Sequence, residues 1–198
     1  MLDGVPLPRR VQPDDADAPL SRACHWHFFD GGVVLDIAGA LVLKRDGSHD
    51  EVGWRRLLSL LNRYRPERPI DGVVLTLSAE DVHGWRDRPD DELREIGAGL
   101  YARFRQLQNE LGVRFPVYVI LTKADRLPGF SSFVAAVPRR FHQDAFGWSS
   151  PYPVDAAFRE EWVDEAMEAL AAGLRDRATE VLASRDFLAQ ADAVFRFP

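Results

Sequence analysis

Two short stretches of this 198-residue chain place polar side chains where chemistry can occur. The first is Val33-Val34-Leu35-Asp36-Ile37-Ala38-Gly39, in which an apolar strand delivers Asp36 to its carboxyl end. A carboxylate there suits Mg²⁺, usually through water, because Mg²⁺ keeps most of its hydration shell. Gly39 permits a sharp turn and lets its amide approach a terminal phosphate. The second is Ile120-Leu121-Thr122-Lys123-Ala124-Asp125. Asp125 can accept two hydrogen bonds from a guanine edge, while the alkyl stem of Lys123 lies over the base and its ammonium stays hydrated. Read structurally instead, Asp36 caps a turn, and Thr122 and Asp125 hydrogen-bond the loop leading to Pro128.

In this order, D-x-x-G followed by T-K-x-D points to a P-loop GTPase-like α/β fold. That class grips its phosphates with G-x-x-x-x-G-K-[ST], a loop whose amides and lysine cradle them. No such stretch occurs in the chain. The motif order would put it before Asp36, and residues 1–22 offer neither a first strand nor that loop. Many small GTPases follow D-x-x-G with a glutamine that orients the attacking water; here the position is Ala40. Competent nucleotide hydrolysis is therefore not expected of this chain, no catalytic residue is assigned, and no cofactor is expected. GTP and Mg²⁺ enter only if a longer parent protein supplies the loop.

Hydrophobic spacing predicts the elements that position these residues. Residues 1–22 hold Pro6, Pro8, Pro13 and Pro19 among Asp14, Asp15 and Asp17, and read as an extended arm, since proline removes donors and fixes φ. Residues 23–198 read as one GTPase-like α/β domain. Trp26 to Phe29 and Val33-Val34-Leu35, joined by Asp30-Gly31-Gly32, carry a hairpin signal. The run Leu41-Val42-Leu43 fades into a polar loop. Trp54, Leu57, Leu58, Leu61 and Tyr64 form the stripe of an amphipathic helix over 51–64, ended by Pro66 and Pro69. Leu93, Ile96, Leu100, Phe104, Leu107 and Leu111 mark a second helix over 90–111, closed by Gly112. Phe158, Trp162, Met167, Leu170, Leu174 and Val181 mark a third over about 156–182. Residues 72–77 and 116–121 are continuous apolar runs, predicted as strands buried on both faces. Ala193 to Phe197 reads as a short edge strand. The order predicts a mostly parallel sheet with helices on both faces and a hairpin at one edge, lacking the first strand and phosphate loop of its class. Ligands of such sheets bind beyond the carboxyl ends of the strands. The missing strand leaves unpaired edges, so self-association through sheet edges is expected.

Composition narrows the partners. The net charge is −6, from 25 basic and 31 acidic residues, which argues against nucleic acid. The single cysteine, Cys24, excludes an intrachain disulfide and a cysteine-based zinc cage. No apolar run approaches the ~18 residues needed to span a bilayer, so membrane contact is expected only through parts of a parent protein outside this chain. The first ten residues do not read as a secretory signal. Arg55, Arg56, Arg63, Arg65 and Arg68 cluster within this acidic chain, either as a solvated face or as a docking patch for an acidic partner or lipid headgroups. His25 and His27 share a strand face without an obvious third ligand, and read as surface rather than as a metal site. Trp148, Tyr152 and Trp162 read as loop or core packing; exposed, they would mark an interface.

Several stretches resemble a known family. Cys24-His25-Trp26-His27-Phe28-Phe29-Asp30 with Val33 to Gly39 is similar to one block of the IcmF (TssM) proteins of type VI secretion systems. Arg63-Tyr64-Arg65-Pro66-Glu67-Arg68-Pro69-Ile70-Asp71-Gly72-Val73-Val74-Leu75-Thr76-Leu77-Ser78 is the nearest match. Leu111-Gly112-Val113-Arg114-Phe115-Pro116, running through Thr122-Lys123-Ala124-Asp125 to Leu127-Pro128-Gly129-Phe130, resembles a third block. Phe146-Gly147-Trp148 and Phe195-Arg196-Phe197-Pro198 echo weaker landmarks, so the resemblance spans roughly residues 23–198.

The resemblance implies a scaffold domain at the cytoplasmic face of the inner membrane, with membrane-complex and baseplate proteins as partners. It also implies that Asp36 and Gly39 face a γ-phosphate and Mg²⁺, and that Thr122, Lys123 and Asp125 face a guanine base. Many members carry a P-loop upstream of these blocks; a longer parent protein or a shorter relative without it are both open. The chain departs from the family with Ile37 for the usual threonine, Ala124 for the usual cysteine and Ala40 for a larger polar residue. Two rival readings stand: a GTPase completed by an upstream P-loop, with Asp36 and Asp125 as working ligands, and an unrelated α/β module for a small ligand.

Overall fold

The computed structural model describes residues 9–10, 24–43, 49–141 and 146–183. In chain order the main elements are β1 (Arg9–Arg10), β2 (Cys24–Phe29), β3 (Gly32–Ile37), α1 (Gly39–Leu43), α2 (His49–Tyr64), β4 (Val73–Ser78), α3 (Ala79–Gly84), α4 (Asp90–Leu111), β5 (Val117–Thr122), α5 (Phe130–Ala136) and α6 (Glu161–Leu182). Short 3-10 turns cover Trp85–Asp87, Ala124–Arg126 and Arg139–Phe141. They fall in two compact units, one from Met1–Asp71 and Pro89–Val113, the other from Gly72–Arg88 and Arg114–Pro198. No described helix is long and apolar enough to cross a membrane.

The first unit holds an antiparallel sheet in the order β1-β2-β3. The Asp30-Gly31 turn sets the hairpin register, with Phe29 opposite Gly32 and Cys24 opposite Ile37. Within the stretch predicted as an arm, Arg9 and Arg10 pair with Phe28 and His27; the rest of residues 1–22 lies outside the described residues. The run predicted to fade after Gly39 is a short helix instead, as its leucines and alanine favour.

α1, α2 and α4 pack on one another. Trp54, Leu57, Leu58 and Leu61 of α2 and Leu107 and Leu111 of α4 are buried, with Leu58 fully so. Each such side chain contributes about 1.5–3 kcal/mol by leaving water. Tyr64, predicted on this stripe, is 70% exposed because it sits in the last turn, where residues 62–68 are all exposed. α4 has the predicted bounds, and Gly112 closes it in the left-handed conformation at φ 66°, donating its N–H to the Gln108 carbonyl at 2.9 Å.

The second unit holds a parallel pair, β4 with β5, in register from Val73 opposite Val117 to Ser78 opposite Thr122. The expectation of one mostly parallel sheet is thus corrected: the described strands form two sheets. The expectation of strands buried on both faces is corrected as well, since Val117 to Leu121 are 41–63% exposed. Among the described residues no third strand flanks β5, so its side chains lack the neighbours that cover a central strand.

α6 begins at Glu161, later than predicted. Its inner face is Trp162, Ala166, Leu170, Leu174 and Val181, and Val181 packs with Phe133 and Val137. Phe158 and Met167, predicted inward, are 69% and 60% exposed. Phe158 precedes the helix, and Met167 stands one residue, about 100°, off the inner stripe. The predicted strand Ala193 to Phe197 lies outside the described residues.

Candidate functional site

The carboxyl ends of β4 and β5 are tied by one side chain. The Thr122 hydroxyl donates to the Leu77 carbonyl at 3.1 Å. Lys123 then takes φ 55° and ψ 32°, the one left-handed non-glycine residue among those described. That conformation disfavours a residue with a Cβ, so the surrounding turn must hold it. The Ala124–Arg126 turn follows, with the Arg126 N–H on the Lys123 carbonyl at 3.0 Å and the Leu127 N–H on the Ala124 carbonyl at 2.9 Å. α3 packs against this turn. Its first turn carries Glu80 and Asp81, which complement the positive end of the helix dipole. Asp125 and Arg126 are both exposed, with Nε and Oδ2 3.8 Å apart; such a pair contributes little. The expectation that Thr122 and Asp125 fasten the loop to Pro128 is corrected: Thr122 bonds the neighbouring strand, and Asp125 meets its neighbouring arginine.

Asp36 is exposed near the end of β3, directly opposite His25. The nearby Cys24 thiol is pushed above its ordinary value, first by burial and then by the charge of Asp36. Gly39 opens α1 without a left-handed backbone, and a Cβ there would meet nothing within 4 Å. The tight turn is made instead by the Leu41 N–H on the Ala38 carbonyl at 2.9 Å. No group of three or more His, Cys, Asp or Glu suited to a metal occurs among the described residues.

Asp36 and Gly39 lie in the first unit; Thr122, Lys123 and Asp125 lie in the second. The chain has no G-x-x-x-x-G-K-[ST] loop of amides and lysine for phosphates. No chemical step is assigned through a bound nucleotide.

Three of the five clustered arginines pair with acids. Arg55 Nε lies 3.3 Å from Glu51, and Arg65 and Arg68 lie 3.9 and 2.5 Å from Asp71. Arg63 stands over the Tyr64 ring at 5.6 Å, and Arg56 is exposed on the same helix.

A half-buried network beside this cluster escaped the sequence reading. Arg103 of α4 donates to Glu51 at 2.5 Å, to Gln106 Oε1 at 3.1 Å and to the Val42 carbonyl at 3.3 Å. Trp54 Nε1 also donates to Gln106 Oε1, at 3.0 Å, and Arg103 stands over the Trp54 ring at 5.6 Å. Arg103 thus joins α1, α2 and α4. The signal was its place between Leu100 and Leu107 on the apolar stripe, where an arginine needs partners.

A family model described as the IcmF-related N-terminal domain matches residues 47–198. The type VI secretion system component TssM1 of Pseudomonas aeruginosa is 33% identical over 183 residues, covering 90% of this chain and 16% of that relative. The chain therefore spans about a sixth of the length of that curated relative. No solved structure matches the chain.

Proposed function

This chain belongs to the family of IcmF-related N-terminal domains, and from that membership we propose that it is a scaffold domain of a type VI secretion inner-membrane complex. It sits at the cytoplasmic face and docks other membrane-complex and baseplate proteins without hydrolysing nucleotide. The observation that supports this reading is β5, whose apolar side chains from Val117 to Leu121 are all exposed. Such a strand invites another chain to cover it or extend its sheet. These residues hold no G-x-x-x-x-G-K-[ST] loop, and phosphoryl transfer rests on the positioning and charge that such a loop supplies. Kinship with P-loop GTPases belongs to this reading too, because T-K-x-D follows a parallel strand. The basic cluster of Arg55, Arg56, Arg63, Arg65 and Arg68 suits an acidic partner.

A pull-down of secretion-apparatus proteins with this chain, with and without GTP and Mg²⁺, tests the proposal. The same partners are expected in both conditions. Capture that requires GTP, or no capture of any membrane-complex or baseplate protein, contradicts it.

The left-handed Lys123 favours a second reading, in which a parent protein supplies the P-loop and Asp36 and Asp125 are working ligands. Backbone strain of this kind gathers at ligand sites. A parent protein that binds GTP at micromolar levels, and loses it on Asp125→Ala, would support that reading. Family membership speaks against the third reading, an unrelated small-ligand module.

A further inference from the structure

α2 divides its side chains between two faces. Trp54, Leu57, Leu58 and Leu61 are buried. Val52, Arg55, Arg56, Ser59 and Arg63 recur at spacings of three and four, so they share the opposite face, and all five are exposed. From Val52 to Arg63 this stripe is about 16 Å long at the helical rise of 1.5 Å per residue. It carries no acidic residue.

Its positive charge outlasts its ion pairs. Arg55 reaches Glu51 at 3.3 Å, but that carboxylate is held more closely by the less exposed Arg103, at 2.5 Å. Arg65 and Arg68, just past the helix, share the carboxylate of Asp71. Across residues 51–71, five arginines face only Glu51, Glu67 and Asp71, in a chain that is acidic as a whole. All five cations are arginines, whose planar guanidinium meets phosphate oxygens two at a time. Val52 is 68% exposed within the stripe, and Tyr64 is 70% exposed beside it, under the Arg63 guanidinium. Apolar and phenolic side chains among arginines suit the boundary between headgroups and acyl chains. A straight row of cations also meets a plane along its whole length. An acidic protein segment supplies carboxylates but no plane and no apolar layer. The acidic remainder of the chain is repelled by an anionic surface, which turns this face toward it.

We propose that the α2 face formed by Val52, Arg55, Arg56 and Arg63 docks on an anionic phospholipid surface. This rests on the reading that the arginine cluster serves an acidic partner, and it names that partner as a bilayer. The test sediments the full chain with vesicles of phosphatidylcholine alone, or of equal parts phosphatidylcholine and phosphatidylglycerol. Beads carrying poly-glutamate stand in for an acidic protein.

The chain should bind the mixed vesicles, ignore phosphatidylcholine alone, and detach as salt is added. Replacing Arg55→Gln, Arg56→Gln and Arg63→Gln together should weaken binding about tenfold or more, with circular dichroism and melting temperature unchanged. Val52→Ser alone should weaken it about threefold. Removing the same charge from exposed arginines elsewhere, with Arg94→Gln, Arg159→Gln and Arg175→Gln, should leave binding unchanged. Equal binding to phosphatidylcholine alone, undiminished binding by the α2 variants, or an equal loss in the control variant overturns the proposal. Capture by poly-glutamate without capture by mixed vesicles overturns it too, but leaves the acidic-partner reading standing; capture by neither overturns both.

Discussion

The Thr122 hydroxyl on β5 donates to the Leu77 carbonyl on β4, 3.1 Å away, and Lys123 turns left-handed immediately after it. One side chain thus fixes the ends of two parallel strands. Replacing Thr122 with valine keeps the shape and removes this hydrogen bond. Thr122→Val should lower unfolding stability by about 1 kcal/mol, measured by urea denaturation, while Thr122→Ser should not.

Lys123 carries a left-handed backbone that glycine tolerates and a β-branched residue resists. Lys123→Gly should raise stability by about 0.5 kcal/mol, and Lys123→Val should lower it by about 1–2 kcal/mol. Thermal melts of the two variants give the sign directly.

Glu51 is held below the ordinary glutamate pKa, chiefly by the hydrogen bond from Arg103 and against the opposing effect of burial. A lowered folded-state pKa adds stability that is full above the unfolded value of about 4.3 and is lost as pH falls through the folded value. Glu51→Gln should lower stability by about 1–3 kcal/mol at neutral pH. Below pH ~4 the difference between variant and wild type should shrink, because the wild-type carboxylate is then protonated as well. Melting curves at neutral and acid pH measure it.

The exposed β5 strand should associate with a second copy at high concentration. Light scattering should show a mass that rises with concentration, and Ile120→Lys should return it to the monomer. A wild-type chain that stays strictly monomeric contradicts this expectation.

Legibility followed the strength of local signals. α4 was read to its bounds because six apolar residues repeat at three and four, with Gly112 after them. The β2–β3 hairpin was read from Asp30-Gly31-Gly32. Exposure of β5 was not legible, since an apolar run shows what a strand prefers and not how many strands flank it. Phe158 misled for a related reason: it stands four residues before Trp162, so helical spacing continues past the helix start. At the candidate site the motif order was visible, but the left-handed turn was hidden by a lysine where glycine or asparagine would have announced it. Arg103 was hidden because its partners Glu51 and Val42 lie far away along the chain.

As proposed, this chain positions partners and does not grip a nucleotide. Calorimetric titration of the purified chain with GTP and GDP, with and without Mg²⁺, tests it most directly. The account predicts no saturable binding tighter than about 1 mM. A micromolar, Mg²⁺-dependent dissociation constant that disappears in Asp125→Ala or Asp36→Ala would contradict it.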